Sequence, residues 1–211
     1  MRTAVITGTT HGIGRVTAKR IAAAGYRLIM LVRDMHLAET LATAITETTG
    51  NDAIENVHCD LSSIRSVNGA VEEVGQRASD IHLLINNAGI VTRQRTMSAD
   101  GIELTFATNH LGPFVLTTGL LSVLANARTS RVVTVASAAY QGGSADFEAS
   151  LNTAGATGLQ AYATSKLANV LFTLALHRRT RGTGITTNCL HPGVVATNLG
   201  GDNRLFRWGM K

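Results

Sequence analysis

The sequence predicts an α/β chain: a parallel, doubly wound sheet of at least six strands with helices on both faces. Three observations carry this. Short apolar runs alternate with longer runs of helical spacing from end to end. The short runs are apolar almost throughout rather than at every second residue, as in strands buried on both faces. A turn rich in glycine, Thr7-Gly8-Thr9-Thr10-His11-Gly12-Ile13-Gly14, separates the first apolar run from the first helical one. Right-handed crossovers in such a sheet place ligands at the C-terminal ends of the strands.

Each element has its own signal. Residues 4–6 are the first strand, and a helix over 13–24 stops at Gly25, a good C-terminal cap. The second strand is 27–32. Asp34 caps a helix that runs to residue 48 and is closed by Gly50. A third strand is expected at 57–60, followed by a helix capped by Ser62 or Ser63 and running through 78. The fourth strand is 81–86. A long helix over 100–124 is expected to bend near Gly112-Pro113, because proline removes a helical donor. The fifth strand is 131–136, the next helix follows Tyr162, and the sixth strand is 185–190. In that last helix Leu167, Val170, Leu171, Leu174 and Ala175 fall on one side. Residues 142–158, small and rich in Gly, Ser and Thr, read as a surface loop.

Composition narrows the function. With 211 residues, 45% hydrophobic and 16% charged, the chain suits one globular domain over 1–211 rather than a disordered segment. The net charge of +5 raises nucleic acid or an anionic membrane as partners, but Lys and Arg are scattered and form no basic run. A basic protein with a phosphate-bearing small ligand, and no nucleic acid partner, is the expectation. Cys59 and Cys189 lie in apolar stretches and read as buried thiols of a reducing compartment rather than a disulfide. No stretch is apolar enough to span a membrane and the N-terminus enters a strand at once, so a cytoplasmic protein is expected.

The glycine turn selects the ligand. Glycines let the backbone turn sharply and approach a ligand closely, and the helix start beyond them offers free N–H groups to a pyrophosphate. In a strand–turn–helix context this points to a dinucleotide. The tip of the second strand then chooses between cofactors. An acid there would accept from a ribose 2′-hydroxyl; this chain has Val32 and then Arg33, which suits a 2′-phosphate. NADP(H) is therefore expected. Asp34, read as a helix cap pointing away, leaves NAD(H) as the alternative.

Tyr162 and Lys166 supply the chemistry. Four residues apart on a helix, their side chains share a face. A cation beside a phenol favours the phenolate and is expected to bring the tyrosine pKa down from about 10. Such a pair can pass a proton to or from a carbonyl or alcohol oxygen. His110 and His191 have no second ligand at zinc spacing, and no metal is expected.

With the glycine turn, Tyr162 and Lys166 in this order, the chain resembles the short-chain dehydrogenase/reductase family from Thr3 to about Leu199, and within it the retinol dehydrogenase-like and carbonyl reductase branch. Further motifs carry the resemblance: Asp60-Leu61, the NNAG run Asn86 to Gly89, Asn109 in NHLGPF, Ser137 after the fifth strand, and HPGVVATNL from His191. The resemblance implies a Rossmann-type fold and an oxidoreductase acting on a carbonyl/alcohol pair. It assigns Ser137 to the substrate oxygen and Tyr162 to proton transfer. Lys166 would support the tyrosine and hold the nicotinamide ribose, and Asn109 a water relay. It places Gly8, Thr10, His11, Gly12, Ile13, Gly14, Arg33, Asp60, Leu61, Asn87, Ala88, Gly89, Pro192, Gly193, Val195 and Thr197 about the cofactor. Relatives continue through a substrate lid and a seventh strand; residues 192–211 read as the start of that lid, and the seventh strand is not among the 211 residues. Relatives also assemble as homodimers or homotetramers. A non-catalytic regulator on the same fold is the alternative reading, and it would not need Ser137, Tyr162 and Lys166 together.

Overall fold

The computed structural model describes residues 1–148 and 158–193. Six parallel strands form one sheet: β1 (Thr3–Thr7), β2 (Arg27–Val32), β3 (Ile54–His58), β4 (Leu83–Asn86), β5 (Ser130–Val135) and β6 (Ile185–Leu190). Their order is β3-β2-β1-β4-β5-β6, the doubly wound order expected from the sequence. Chain reversal occurs at β1, whose Val5 lies opposite Ile29 on one side and Leu84 on the other.

Period-two alternation divides the core between the two faces. Val5, Ile29 and Leu31 point to one side and pack with α3 (Ile64–Arg77), α5 (Gly112–Gly119) and α6 (Leu121–Asn126) through Val67, Val74, Leu116 and Leu124. Ala4, Ile6, Leu28 and Met30 point to the other and meet α1 (Gly12–Ala23) and α2 (Met35–Thr49) through Ala18, Ile21, Leu41 and Ile45. All five residues of β1 are buried, which is why its sequence is apolar throughout. Asp34 caps α2, accepting from the Leu37 N–H at 3.0 Å, and Ser63 rather than Ser62 caps α3.

Four expectations shift. The third strand lies at Ile54–His58 rather than 57–60, because pairing with β2 sets Ile54 opposite Leu28 and Val57 opposite Leu31. It is the outer strand there, and its polar Glu55 is held by Arg27 (2.7 Å) and Arg77 (3.3 Å), which hid the strand in the sequence. The Arg27 hydrogen bond keeps the Glu55 carboxyl below the usual carboxylate range. The fourth strand begins at Leu83 rather than residue 81, although Ile81 is buried.

The long helix over 100–124 is broken into α4 (Leu104–Phe106), a π-helical turn (Ala107–Leu111), α5 and α6. Glu103 starts it late by capping the Phe106 N–H at 2.7 Å. The expected bend is the π turn, immediately before Gly112-Pro113. Last, of the two cysteines expected in the core, Cys59 is buried and Cys189 only partly so; both are free thiols. Burial pushes the Cys59 thiol up to about 12, so it is unreactive.

Helix α7 (Gly158–Arg179) follows β5 and begins a turn before Tyr162. Its leucine stripe does not face the core: Leu171 is 42% and Leu174 50% exposed. The buried face instead carries Tyr162, Ser165, Lys166, Asn169 and Thr173. An amphipathic helix ordinarily buries its apolar stripe; here the polar one is inward. No helix among the described residues is long and apolar enough to cross a membrane.

Leu84 is fully buried at the centre of the sheet. A Leu84→Ala substitution is expected to cost about 2–5 kcal/mol of stability, read from the midpoint of a urea unfolding curve.

Candidate active site

The site lies at the C-terminal ends of β1, β4 and β5. Thr7, the last residue of β1, organises it. Its hydroxyl oxygen accepts from the N–H groups of Asn87 and Ala88, both at 3.0 Å, and donates to the Ile85 carbonyl at 3.4 Å. The Asn87 side-chain amide returns two bonds, to the carbonyls of Thr7 and Gly8 at 3.0 Å each. The NNAG run is thereby pressed onto the glycine turn. Gly8 has φ +70°, and a Cβ there would stand 2.7 Å from Ala88 Cα. A Cβ on Gly14 would collide with the Gly8 carbonyl and the Asn87 amide. Both glycines are required by close approach, not only by flexibility.

The turn suits an anion. Gly12 opens α1, whose first turn holds no acid. The capping residue, His11, gives the helix no side-chain bond; its ring pairs with the Thr10 hydroxyl at 2.9 Å. The first N–H groups of α1, those of Ile13 and Gly14 among them, are thus left to a ligand, which fits a pyrophosphate. At the tip of β2, Arg33 is exposed. Asp34 is committed to its helix cap, as expected. Asp60 is half-buried and its carboxylate accepts from the Ser62 N–H (2.9 Å) and hydroxyl (2.7 Å), which shapes the turn that carries buried Leu61.

The chemical groups come from three further elements. Ser137 follows β5 and starts the 3₁₀ turn Ala138–Gly142, its hydroxyl accepting from the Ala139 N–H at 3.3 Å. The Ser137 hydroxyl also acts on Tyr162, favouring its ionised form. Lys166, 3% exposed, donates to the Val135 carbonyl at 2.8 Å. Its ammonium nitrogen stands 5.6 Å from the centre of the Tyr162 ring. Asn109, in the π turn, accepts from the Ile90 N–H at 2.8 Å and donates to the Ile90 carbonyl (2.9 Å) and the Ser165 hydroxyl (3.1 Å). A Cβ built on Gly89 would touch both Asn109 Oδ1 and Lys166 Nζ at 3.5 Å, so the π turn, the NNAG run and α7 converge at that glycine.

The electrostatics correct one expectation. Burial pulls the Lys166 ammonium down to about 8. Burial also holds the Tyr162 phenol above its ordinary value, with the Ser137 hydroxyl opposing it. The cation was expected to lower the tyrosine. Instead Lys166 is turned onto a backbone carbonyl, and loss of hydration governs the phenol.

Pro192 and Gly193 are exposed at the end of β6, with Gly193 at φ +78°. Val195 and Thr197, and with them most of the expected lid, lie outside the described residues. Ser165 and Asn169 were not singled out from the sequence. The signal was present: two polar residues at positions i+3 and i+7 from Tyr162, inside an apolar run, mark an inward polar stripe. No cluster of potential metal ligands occurs among the described residues.

A parallel sheet and a glycine turn at its switch point, with Ser137 and buried Tyr162 and Lys166 beside it, define a dinucleotide-binding α/β protein. Comparison with known proteins refines this. The short chain dehydrogenase profile matches residues 2–207. Human Retinol dehydrogenase 13 is 39% identical over 201 residues, covering 94% of this chain and 60% of the relative. Human Retinol dehydrogenase 11 is 38% identical over 204 residues, 97% and 64% respectively. The chain thus spans less than two thirds of the length of these relatives. Among solved structures, an uncharacterized protein from Mycobacterium Paratuberculosis superposes with a TM-score of 0.79 at 38% identity, over 92% of this chain and 68% of that one. An actinorhodin polyketide ketoreductase with NADPH gives a TM-score of 0.74 at 28% identity, over 93% and 71%. The chain belongs to the short-chain dehydrogenase family, in its retinol dehydrogenase-like branch.

The low Lys166 pKa sets a pH-dependent stability. Between about 8 and the ordinary lysine value of 10.5 the unfolded chain binds more protons than the folded one, so stability rises with pH across that window. Lys166→Met removes this dependence. The stability difference, Lys166→Met minus wild type, is expected to be most positive below pH 8 and to shrink towards pH 10.5, as followed by denaturant unfolding.

Proposed function

We propose that this chain is an NADP(H)-dependent oxidoreductase that interconverts an apolar carbonyl compound and its alcohol. The observation that carries this reading is buried Tyr162 with the Lys166 ammonium 5.6 Å from its ring centre, near Ser137 and at strand ends that also carry the glycine turn. Relatives named retinol dehydrogenases and an NADPH-bound ketoreductase neighbour support it.

The residues divide the work. Gly8, Gly12 and Gly14 bring the backbone to the pyrophosphate, with Thr10, His11 and Ile13 around it. Arg33 pairs with the ribose 2′-phosphate, since Asp34 is occupied as a cap. Asp60 and Leu61 lie towards the adenine, and Asn87, Ala88 and Gly89 form the floor under the ribose. Pro192 and Gly193 belong to the closing side. Nicotinamide, when bound, exchanges the hydride with the substrate carbon. Ser137 orients the substrate oxygen. Tyr162, kept protonated by burial, donates to that oxygen during reduction and takes the proton back during oxidation. Lys166 steadies the charge on the phenolate and grips the ribose. The side chain of Asn109 is already bonded to Ile90 and Ser165, so a relay through this residue runs by its backbone carbonyl.

The exposed side of α7, with Leu171 and Leu174, and nearby Phe114 of α5 is the surface through which two or four copies assemble in this reading.

Two outcomes test it. Replacing Tyr162 by Phe should lower the rate of all-trans-retinal reduction by roughly a thousandfold, within the usual range for a general acid, while NADPH affinity by nicotinamide fluorescence is unchanged; an undiminished rate contradicts the mechanism. Wild type should bind NADPH more tightly than NADH, and Arg33→Ala should erase that preference. Equal binding of both by wild type would move the choice of cofactor away from Arg33.

A further inference from the structure

A second polar cluster joins the π turn to α7, one helical turn beyond Lys166. Pro113 removes one donor that the chain could otherwise supply there. In an α-helix the Asn109 carbonyl accepts from the N–H of residue 113; here that residue is Pro113 and has no N–H. The donor comes from the other helix. Asn169, 1% exposed, directs its side-chain amide N–H at the Asn109 carbonyl, 3.0 Å away. The amide oxygen of Asn169 lies 3.0 Å from His110 Nδ1. With its NH₂ committed to a carbonyl, Asn169 presents an oxygen to His110, and His110 must carry a proton on Nδ1. The ring is held among Phe106 (5.1 Å between ring centres), Phe114 and Phe172 (6.2 Å each). Burial lowers the His110 pKa, which keeps the ring neutral.

We propose that His110 and Asn169 are positioning residues of the proton-transfer site: the chain from His110 Nδ1–H through the Asn169 amide to the Asn109 carbonyl holds the π turn at fixed spacing from α7, and so holds Asn109 beside Lys166. The inference rests on the proposed role of Tyr162 and Lys166. Three bonds tie the same two elements together. Besides the two just described, Asn109 donates to the Ser165 hydroxyl at 3.1 Å, and that hydroxyl donates to the Tyr162 carbonyl at 2.7 Å. Ser165 immediately precedes Lys166. The π turn is therefore referenced to the very turn of α7 that carries both reacting side chains. Removing the His110 donor leaves a buried amide oxygen unpaired and frees the Asn169 side chain to turn. A misplacement of about 1 Å at such a site costs about a hundredfold in rate.

The ring's surroundings separate this role from packing. His110→Phe keeps an aromatic ring among three phenylalanines but has no donor. His110→Asn gives up the ring and sets an amide N–H close to where Nδ1–H stands. In NADPH-dependent reduction of all-trans-retinal, His110→Phe is expected to lower kcat about tenfold or more, with His110→Asn within about threefold of wild type and NADPH Kd within about twofold for both. The reverse order, Phe active and Asn impaired, overturns the proposal. Tyr162→Phe in the same assay tells the two readings apart, because full turnover in that variant defeats the catalytic reading rather than the clamp. A measurement independent of turnover decides the clamp itself. In ¹⁵N NMR of the imidazole nitrogens, with His110 assigned from the signals lost in His110→Phe, wild type should show the Nδ1–H tautomer, and Asn169→Ala should lose it. An Nε2–H tautomer in wild type overturns the proposal.

Discussion

The buried Lys166 ammonium, donating to the Val135 carbonyl, is the constraint about which the rest is arranged. A charge at that depth is costly unless every partner is in place. Its burial requires α7 to turn a polar face inward, and that face must be satisfied residue by residue. Ser165 bonds the Tyr162 carbonyl and receives Asn109, Asn169 takes the Asn109 carbonyl, and Thr173 donates to the Asn169 carbonyl at 2.8 Å. Leu171 and Leu174 of α7 are left outside as a consequence, while Leu176 joins the core. A helix built for stability alone would bury Leu171 and Leu174 and expose Lys166; this one does the opposite.

The same network links the chemistry to the cofactor end of the sheet. Asn109 reaches Ile90, two residues from Ala88, which is itself held by Thr7. Thr7 ends β1, and Gly8 begins the glycine turn, the proposed cofactor turn. From the glycine turn to the phenol of Tyr162 the path is therefore a continuous series of backbone and side-chain bonds over strand ends fixed in a sheet. A site that depends on geometry gains from such rigid support.

Much of this was legible in the sequence, for identifiable reasons. The strands at the middle of the sheet are apolar throughout because they are covered on both faces, so β1 and β2 stood where expected. Asp34 and Gly50 marked the ends of α2 because caps are local chemistry. The third strand was misplaced because it lies at an edge, where Glu55 and Asn56 replace the apolar pattern and only pairing with β2 sets the register. Gly112-Pro113 foretold a bend, but not that it would take the form of a π turn whose freed carbonyl is met by Asn169 from a distant helix. The motif residues of the candidate site could be proposed one by one; the direction of the Tyr162 pKa could not, since it depends on how deeply the phenol is buried and where the Lys166 ammonium points.

The central claim is that burial beside Ser137 keeps Tyr162 a protonated phenol, ready to donate. Ultraviolet titration of tyrosinate tests it most directly. The chain has three tyrosines, and the difference between wild type and Tyr162→Phe isolates the titration of Tyr162. The account predicts that this group ionises above pH 10, the ordinary value for tyrosine. Ionisation well below pH 10 in the free protein would mean that the lysine, not burial, governs the phenol, and would contradict it.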